Sequence, residues 1–148
     1  MSEYYATQNL TPLIGATLSS NGVVALSPVT LTATAADNRG TIQVKGATQL
    51  ILLIRYITST TANKILDMTV EFSPDGTLFY QEASEEASTT VVTEYLVTRR
   101  FTGVDASTTY SMRVAIPVAD VDRIRIGFRE TTGTPFGTLS CLSILSGQ

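Results

Sequence analysis

The sequence has no histidine, no tryptophan and only one cysteine in 148 residues. Without histidine it lacks the side chain that most often acts as general base near neutral pH and most often ligates zinc. Cys141 alone cannot close an intrachain disulfide. It lies in the apolar run 139–145, where it reads as a small core residue and not as a nucleophile. Charge is sparse as well: Asp, Glu, Lys and Arg make up 16% of the chain and the net charge is −3. That balance argues against a nucleic-acid partner, because backbone recognition needs a clustered positive surface. The longest apolar run, residues 50–54, is far short of the roughly 20 residues of a membrane helix, so no membrane partner is expected. The opening MSEYYATQNL has no basic segment followed by an apolar one, and no secretory signal is expected.

Chemistry is also missing. There is no Gly-rich phosphate loop. Asp75-Gly76 lacks the repeated Asp/Asn ligands of a calcium loop. Glu71, Glu82, Glu85, Glu86 and Glu94 do not form a pair facing one cleft, as a glycosidase requires. Asp120 and Asp122 read as loop solvation. The expectation is a protein without catalytic residues, metal or cofactor.

What the chain does contain is threonine, serine and β-branched residues, without long runs of Glu, Lys, Leu and Ala. This favours strands. The clearest segment is residues 64–82, KILDMTVEFSPDGTLFYQE. Leu66, Met68, Val70 and Phe72 alternate with Asp67, Thr69 and Glu71, the period of a strand with one buried face. Ser73-Pro74-Asp75-Gly76 is turn chemistry, and Leu78, Phe79 and Tyr80 begin the return.

Elsewhere, Val29, Leu31, Ala33 and Ala35 alternate with threonines and predict a strand, followed by a turn at 37–40 and a short strand over 41–45. Residues 50–58 are apolar on both faces and predict a strand covered on both sides. Residues 83–90 are an acidic loop, and 91–102 predict a strand. Met112, Val114, Ile116 and Val118 share one parity, and Pro117 places that strand's end at an edge or bulge. In 123–129, Ile124, Ile126 and Phe128 point inward and three arginines outward, for solubility or towards an acidic partner. Residues 138–145 predict a last strand, central or covered by a sister subunit. About eight strands without a helix of three turns predict an all-β, antiparallel two-sheet β-sandwich of jelly-roll type. The domain spans 12–148, and 1–11 form an arm.

Residues 50–82, an apolar strand, an amphipathic strand and the VEFSPDGTLFYQE hairpin, resemble small tailed-bacteriophage virion proteins. The closing stretch DRIRIGFRETTGTPFGTLS is similar to the last strands of such proteins. The resemblance implies a non-enzymatic virion structural protein, most simply a capsid decoration (cement) protein. It would be assembled in the host cytoplasm and be trimeric by preference, clamping the major capsid protein lattice. Attachment would then use the arm, through Tyr4, Tyr5 and Leu10, and the loop 131–137 with Phe136 at its tip; the acidic loop 83–90 is a further candidate. Two alternatives stand beside this: a neck, tail or fibre-base virion component, and a carbohydrate-binding or adhesin-type β-sandwich. The missing tryptophan weighs against the latter, since sugar sites usually present aromatic platforms.

Overall fold

The computed structural model describes residues 10–18, 24–81, 99–102, 104–131 and 133–147. Twelve strands follow one another: β1 (Leu10–Ile14), β2 (Ala16–Leu18), β3 (Val24–Leu26), β4 (Val29–Thr30), β5 (Arg39–Gln43), β6 (Gln49–Ile57), β7 (Leu66–Ser73), β8 (Tyr80–Gln81), β9 (Arg99–Phe101), β10 (Thr109–Pro117), β11 (Arg123–Glu130) and β12 (Thr138–Ser146). A 3-10 turn at Ala35–Asn38 is the one helical element among the described residues. One sheet runs β1-β12-β6-β10, with β4 also on β12; the other runs β5-β11-β7-β8, with β9 also on β7. β2 and β3 form a separate small hairpin. All pairings are antiparallel. The β-sandwich expected from the sequence is therefore the fold, with twelve strands instead of eight; most of the additional ones are only two or three residues long.

The alternation explains how the sheets pack. Leu50, Leu52, Ile54 and Tyr56 of β6 meet Leu66, Met68 and Val70 of β7 and Ile124, Ile126 and Phe128 of β11 in one core, all at most 2% exposed. Val114 and Ile116 join from β10, and Leu139 and Cys141 from β12. Phe72 is half-buried and packs against the same core. Each fully buried aliphatic side chain contributes about 1.5–3 kcal/mol relative to exposure. β12 is central, between β1 and β6, and β10 is an edge strand ending at Pro117. There the proline's missing N–H removes no ladder bond. Burial pushes the Cys141 thiol up to about 12, in keeping with a core residue.

Three local expectations need correction. The alternating segment 29–35 keeps only the two residues of β4. Thr32 Oγ1 accepts the Thr34 N–H at 3.1 Å and donates to Asp37 Oδ2 at 2.7 Å, so local side-chain bonds replace a ladder. Arg39 and Gly40, expected in a turn, open β5 opposite Gly127 and Ile126. The return strand begins at Tyr80, not Leu78. Asp75 Oδ1 accepts the N–H groups of Thr77 and Leu78 at 2.8 and 3.0 Å, and Gly76 adopts φ +82°. This side-chain-bridged turn spends extra residues and leaves Leu78 58% exposed.

The outward arginines of β11 are tied to the protein's own acids. Arg125 donates to both Glu71 oxygens at 2.7 and 2.8 Å, and its guanidinium lies 4.0 Å from the Phe79 ring centre. Arg39 approaches Glu71 at 3.6 Å. Arg100 grips both Asp67 oxygens at 2.7 and 3.0 Å, and Arg129 adds a bond at 3.3 Å. These side chains lie over the sheet, which is why Asp67 and Glu71 are buried although they point away from the core. Of the segment 91–102, only β9 and Thr102 can be placed; 91–98 and the acidic loop 83–90 lie outside the described residues.

Candidate functional site

Three places bring polar chemistry together. At one end of the sandwich Glu130, fully buried, accepts the Tyr56 hydroxyl at 2.5 Å and the Gly137 N–H at 3.1 Å. Burial first, then the Glu130 carboxylate, push the Tyr56 hydroxyl well above its ordinary range. Lys64, also buried, donates to the Gly133 carbonyl and sits 5.9 Å from the Phe136 ring centre. A Cβ on Gly137 would come within 2.5 Å of the Ile57 carbonyl. These contacts tie residues 133–137 to the core.

At the other end, a cavity of about 460 Å³ is lined by residues 45–48, Pro74 and 119–122. Asp122 there is engaged by Arg123 at 3.4 Å. No group of three or more His, Cys, Asp or Glu side chains able to hold a metal occurs among the described residues.

The third place is the outer face of the β1-β12-β6-β10 sheet. Alternation sends Ile51, Leu53, Arg55 and Ile57 of β6 away from the core. Register sets them in rows across the sheet. Ser111, Arg55 and Ser140 form one row; Arg113, Leu53 and Leu142 form the next; Ala115, Ile51 and Ile144 form the third. β1 extends the face with Pro12 opposite Leu142 and Leu10 opposite Ile144. Leu26, 41% exposed on the β2-β3 hairpin, lines the edge of a trough of about 360 Å³ over the first two rows. Among the described residues no aromatic side chain lines it; Tyr56 and Tyr110 stack on each other on the opposite side of the sheet, ring centres 6.4 Å apart.

Three polar groups of this trough stand out because they have no partner among the described residues. Ser140 is 1% exposed, yet its hydroxyl has no hydrogen-bond partner among the described residues. Such a group is costly unless something satisfies it. Arg55 and Arg113 are exposed and make no ion pair or hydrogen bond among the described residues. Among the described residues the trough therefore offers two guanidinium forks, the hydroxyls of Ser111 and Ser140 and an aliphatic floor, but no carboxylate, amine or thiol.

Of the residues singled out from the sequence, Leu10 opens β1 and is half-buried at the border of this face. Phe136 is half-buried and packs against the core beside Lys64, so it is no exposed anchor. Tyr4 and Tyr5 lie outside the described residues. Sequence reasoning missed Arg55, Arg113 and Ser140. The available signal was a lone arginine in a strand otherwise apolar on both parities.

No protein-family model and no curated protein matches the sequence. Solved structures do match in shape. The CBM22-1 and GH10 modules of a Clostridium thermocellum endo-1,4-β-D-xylanase, complexed with xylohexaose, superpose with TM-score 0.54 at 9% identity, covering 97% of this chain and 27% of that one. The active domain of bacteriophage CBA120 tailspike protein 4 gives 0.53 at 10%, covering 98% and 20%. A CBM28 module specific for non-crystalline cellulose gives 0.50 at 15%, covering 93% and 80%. This chain thus spans about a quarter of the xylanase chain and a fifth of the tailspike chain. At such identities the likeness is one of architecture: the chain has the β-sandwich fold found in carbohydrate-binding modules and in a phage tailspike domain.

Proposed function

We propose that this protein is a non-enzymatic carbohydrate-binding β-sandwich that seats its ligand in the trough on the outer face of β6, β10 and β12. The observation that carries the reading is the set of polar groups there without a partner among the described residues, Arg55, Arg113 and the buried Ser140 hydroxyl, beside the aliphatic Leu26, Leu53 and Leu142. Hydroxyl-rich ligands need such donors and acceptors, and the C–H faces of sugar rings need an apolar floor such as Leu53 and Leu142. The similar structures, the xylanase modules complexed with xylohexaose and the CBM28 module specific for non-crystalline cellulose, support the ligand class. Without an aromatic platform the affinity should be modest, micromolar or weaker. Affinity electrophoresis against a panel of soluble polysaccharides, with Leu53→Glu as the probe, tests it. At least one polysaccharide should retard the wild type and not the variant, with melting temperatures unchanged. A panel that retards neither would defeat the reading.

A second reading is favoured by the resemblance of residues 50–82 to phage virion proteins and by the aliphatic, aromatic-free character of the trough, which suits a protein surface. In it the chain is a virion component, capsid decoration or neck and tail. The trough docks on a shell protein, and Tyr4, Tyr5 and Leu10 serve attachment in a trimer. Binding to undecorated shells, and hundreds of copies per particle, would distinguish it from a glycan-binding module.

A further inference from the structure

We propose that the ligand of the trough is an acidic saccharide whose carboxylate groups are taken by Arg55 and Arg113. This rests on the carbohydrate reading and narrows it.

The first argument is charge. Five other arginines, Arg39, Arg100, Arg123, Arg125 and Arg129, each lie within 4.0 Å of a carboxylate of the same chain. Among the described residues Arg55 and Arg113 have no such partner, although the protein carries a net charge of −3. Both project from the same face. Arg55 is directly opposite Ser111 and Arg113 directly opposite Leu53, so the two arginines are diagonal neighbours on adjacent strands. Diagonal positions are about 7–8 Å apart, close enough for both side chains to reach one bound molecule. Two cations side by side on an apolar floor repel each other until an anion arrives.

The second argument is geometry. A guanidinium presents parallel N–H donors that match the two oxygens of a planar carboxylate. The third is the buried hydroxyl. Ser140 is opposite Arg55 on the other side, in the same row, and lines the trough with no hydrogen-bond partner among the described residues. It can bond to a sugar hydroxyl or carboxylate oxygen beside the Arg55 fork. The fourth is what the trough lacks. Neutral saccharides usually gain affinity by stacking on aromatic rings, and none lines the trough among the described residues. Charge-assisted bonds are what remains to hold a sugar in place.

The experiment is isothermal titration of the full chain at low salt with polygalacturonate, alginate, their carboxyl-reduced forms, neutral xylan and poly-glutamate. Arg55→Gln, Arg113→Gln and Arg99→Gln accompany the wild type. Arg99, exposed on β9 of the other sheet, controls for diffuse polyanion attraction. The expected result is binding to an acidic polysaccharide, weakened about tenfold or more by carboxyl reduction and by either trough substitution. Arg99→Gln should bind as the wild type does, and raised salt should weaken binding. If xylan binds as tightly as the acidic polymers and the trough variants are unaffected, the acidic assignment falls and the carbohydrate reading stands. If Arg99→Gln weakens binding as much as Arg55→Gln, attraction is diffuse and the assignment falls. If no saccharide binds, both fall. Binding of poly-glutamate alone would also overturn both, in favour of an acidic protein surface.

Discussion

Replacing Asp67 by Asn tests the ion-pair cover of the second sheet. Asp67 is fully buried, and its carboxylate accepts three bonds, two from Arg100 and one from Arg129. The two partners differ. The Arg100 side chain is 50% exposed, so its pairing is screened by water, whereas Arg129 is 14% exposed. Removing one member of a fully buried pair costs about 3–5 kcal/mol. The Arg100 share is nearer the value of a surface pair, at most about 1 kcal/mol. The amide also keeps one acceptor oxygen. The expected loss is therefore about 2–3 kcal/mol, a large part of the ~5–15 kcal/mol of a typical domain. For a chain of this size that lowers the melting temperature by about 4–12 °C. Urea unfolding at neutral pH should show a lower midpoint with an unchanged slope. Arg129→Gln should lose more than Arg100→Gln. If Asp67→Asn stays within about 0.5 kcal/mol of the wild type, the network is ornamental and the account of the buried outer face is wrong.

Two further outcomes follow from the titrating groups. Cys141 should resist alkylation at pH 8 in the folded protein and react at once in denaturant. Its folded-state value is raised from about 9 to about 12, so its contribution is fully present below about pH 9 and is lost as pH rises towards 12. Rapid labelling of the native protein would contradict its placement. Asp75 is held below its ordinary value, chiefly by the N–H groups of Thr77 and Leu78. Its contribution to the turn is present above the ordinary aspartate range and lost as pH falls through the lowered value. Measured against the intrinsic exchange rate at each pH, the protection of the Thr77 and Leu78 amides should weaken at acid pH and in Asp75→Ala more than in Asp75→Asn, which keeps the acceptor. Unchanged exchange in the alanine variant would refute the turn.

Much of the core was legible because alternation is a local property. Leu66–Met68–Val70 and Ile124–Ile126–Phe128 announce a buried face without reference to any neighbour, and Pro117 announces an edge. Other features depend on what faces what. The segment 29–35 has the alternation of a strand, yet Thr32 bonds locally to Thr34 and Asp37 and breaks it. The arginines of β11 read as a solvated row; only the register that sets Arg125 opposite Glu71, and Arg129 and Arg100 opposite Asp67, turns them into a cover. Phe136 looked like a loop tip, but the Glu130 and Lys64 bonds fold its loop inward. The trough was the least legible. Arg55, Ser111 and Ser140 are far apart in sequence, belong to no motif, and meet only because three antiparallel strands share one register.

The central claim is that the outer face of the β1-β12-β6-β10 sheet is the binding surface. Backbone amide chemical shifts, recorded while the ligand identified by titration is added, test it most directly. The account expects the largest changes at Leu53, Arg55, Ser111, Arg113, Ser140 and Leu142, with those of β7 and β11 unmoved. Shifts centred instead on the 45–48 and 119–122 loops, or on the second sheet, would contradict it.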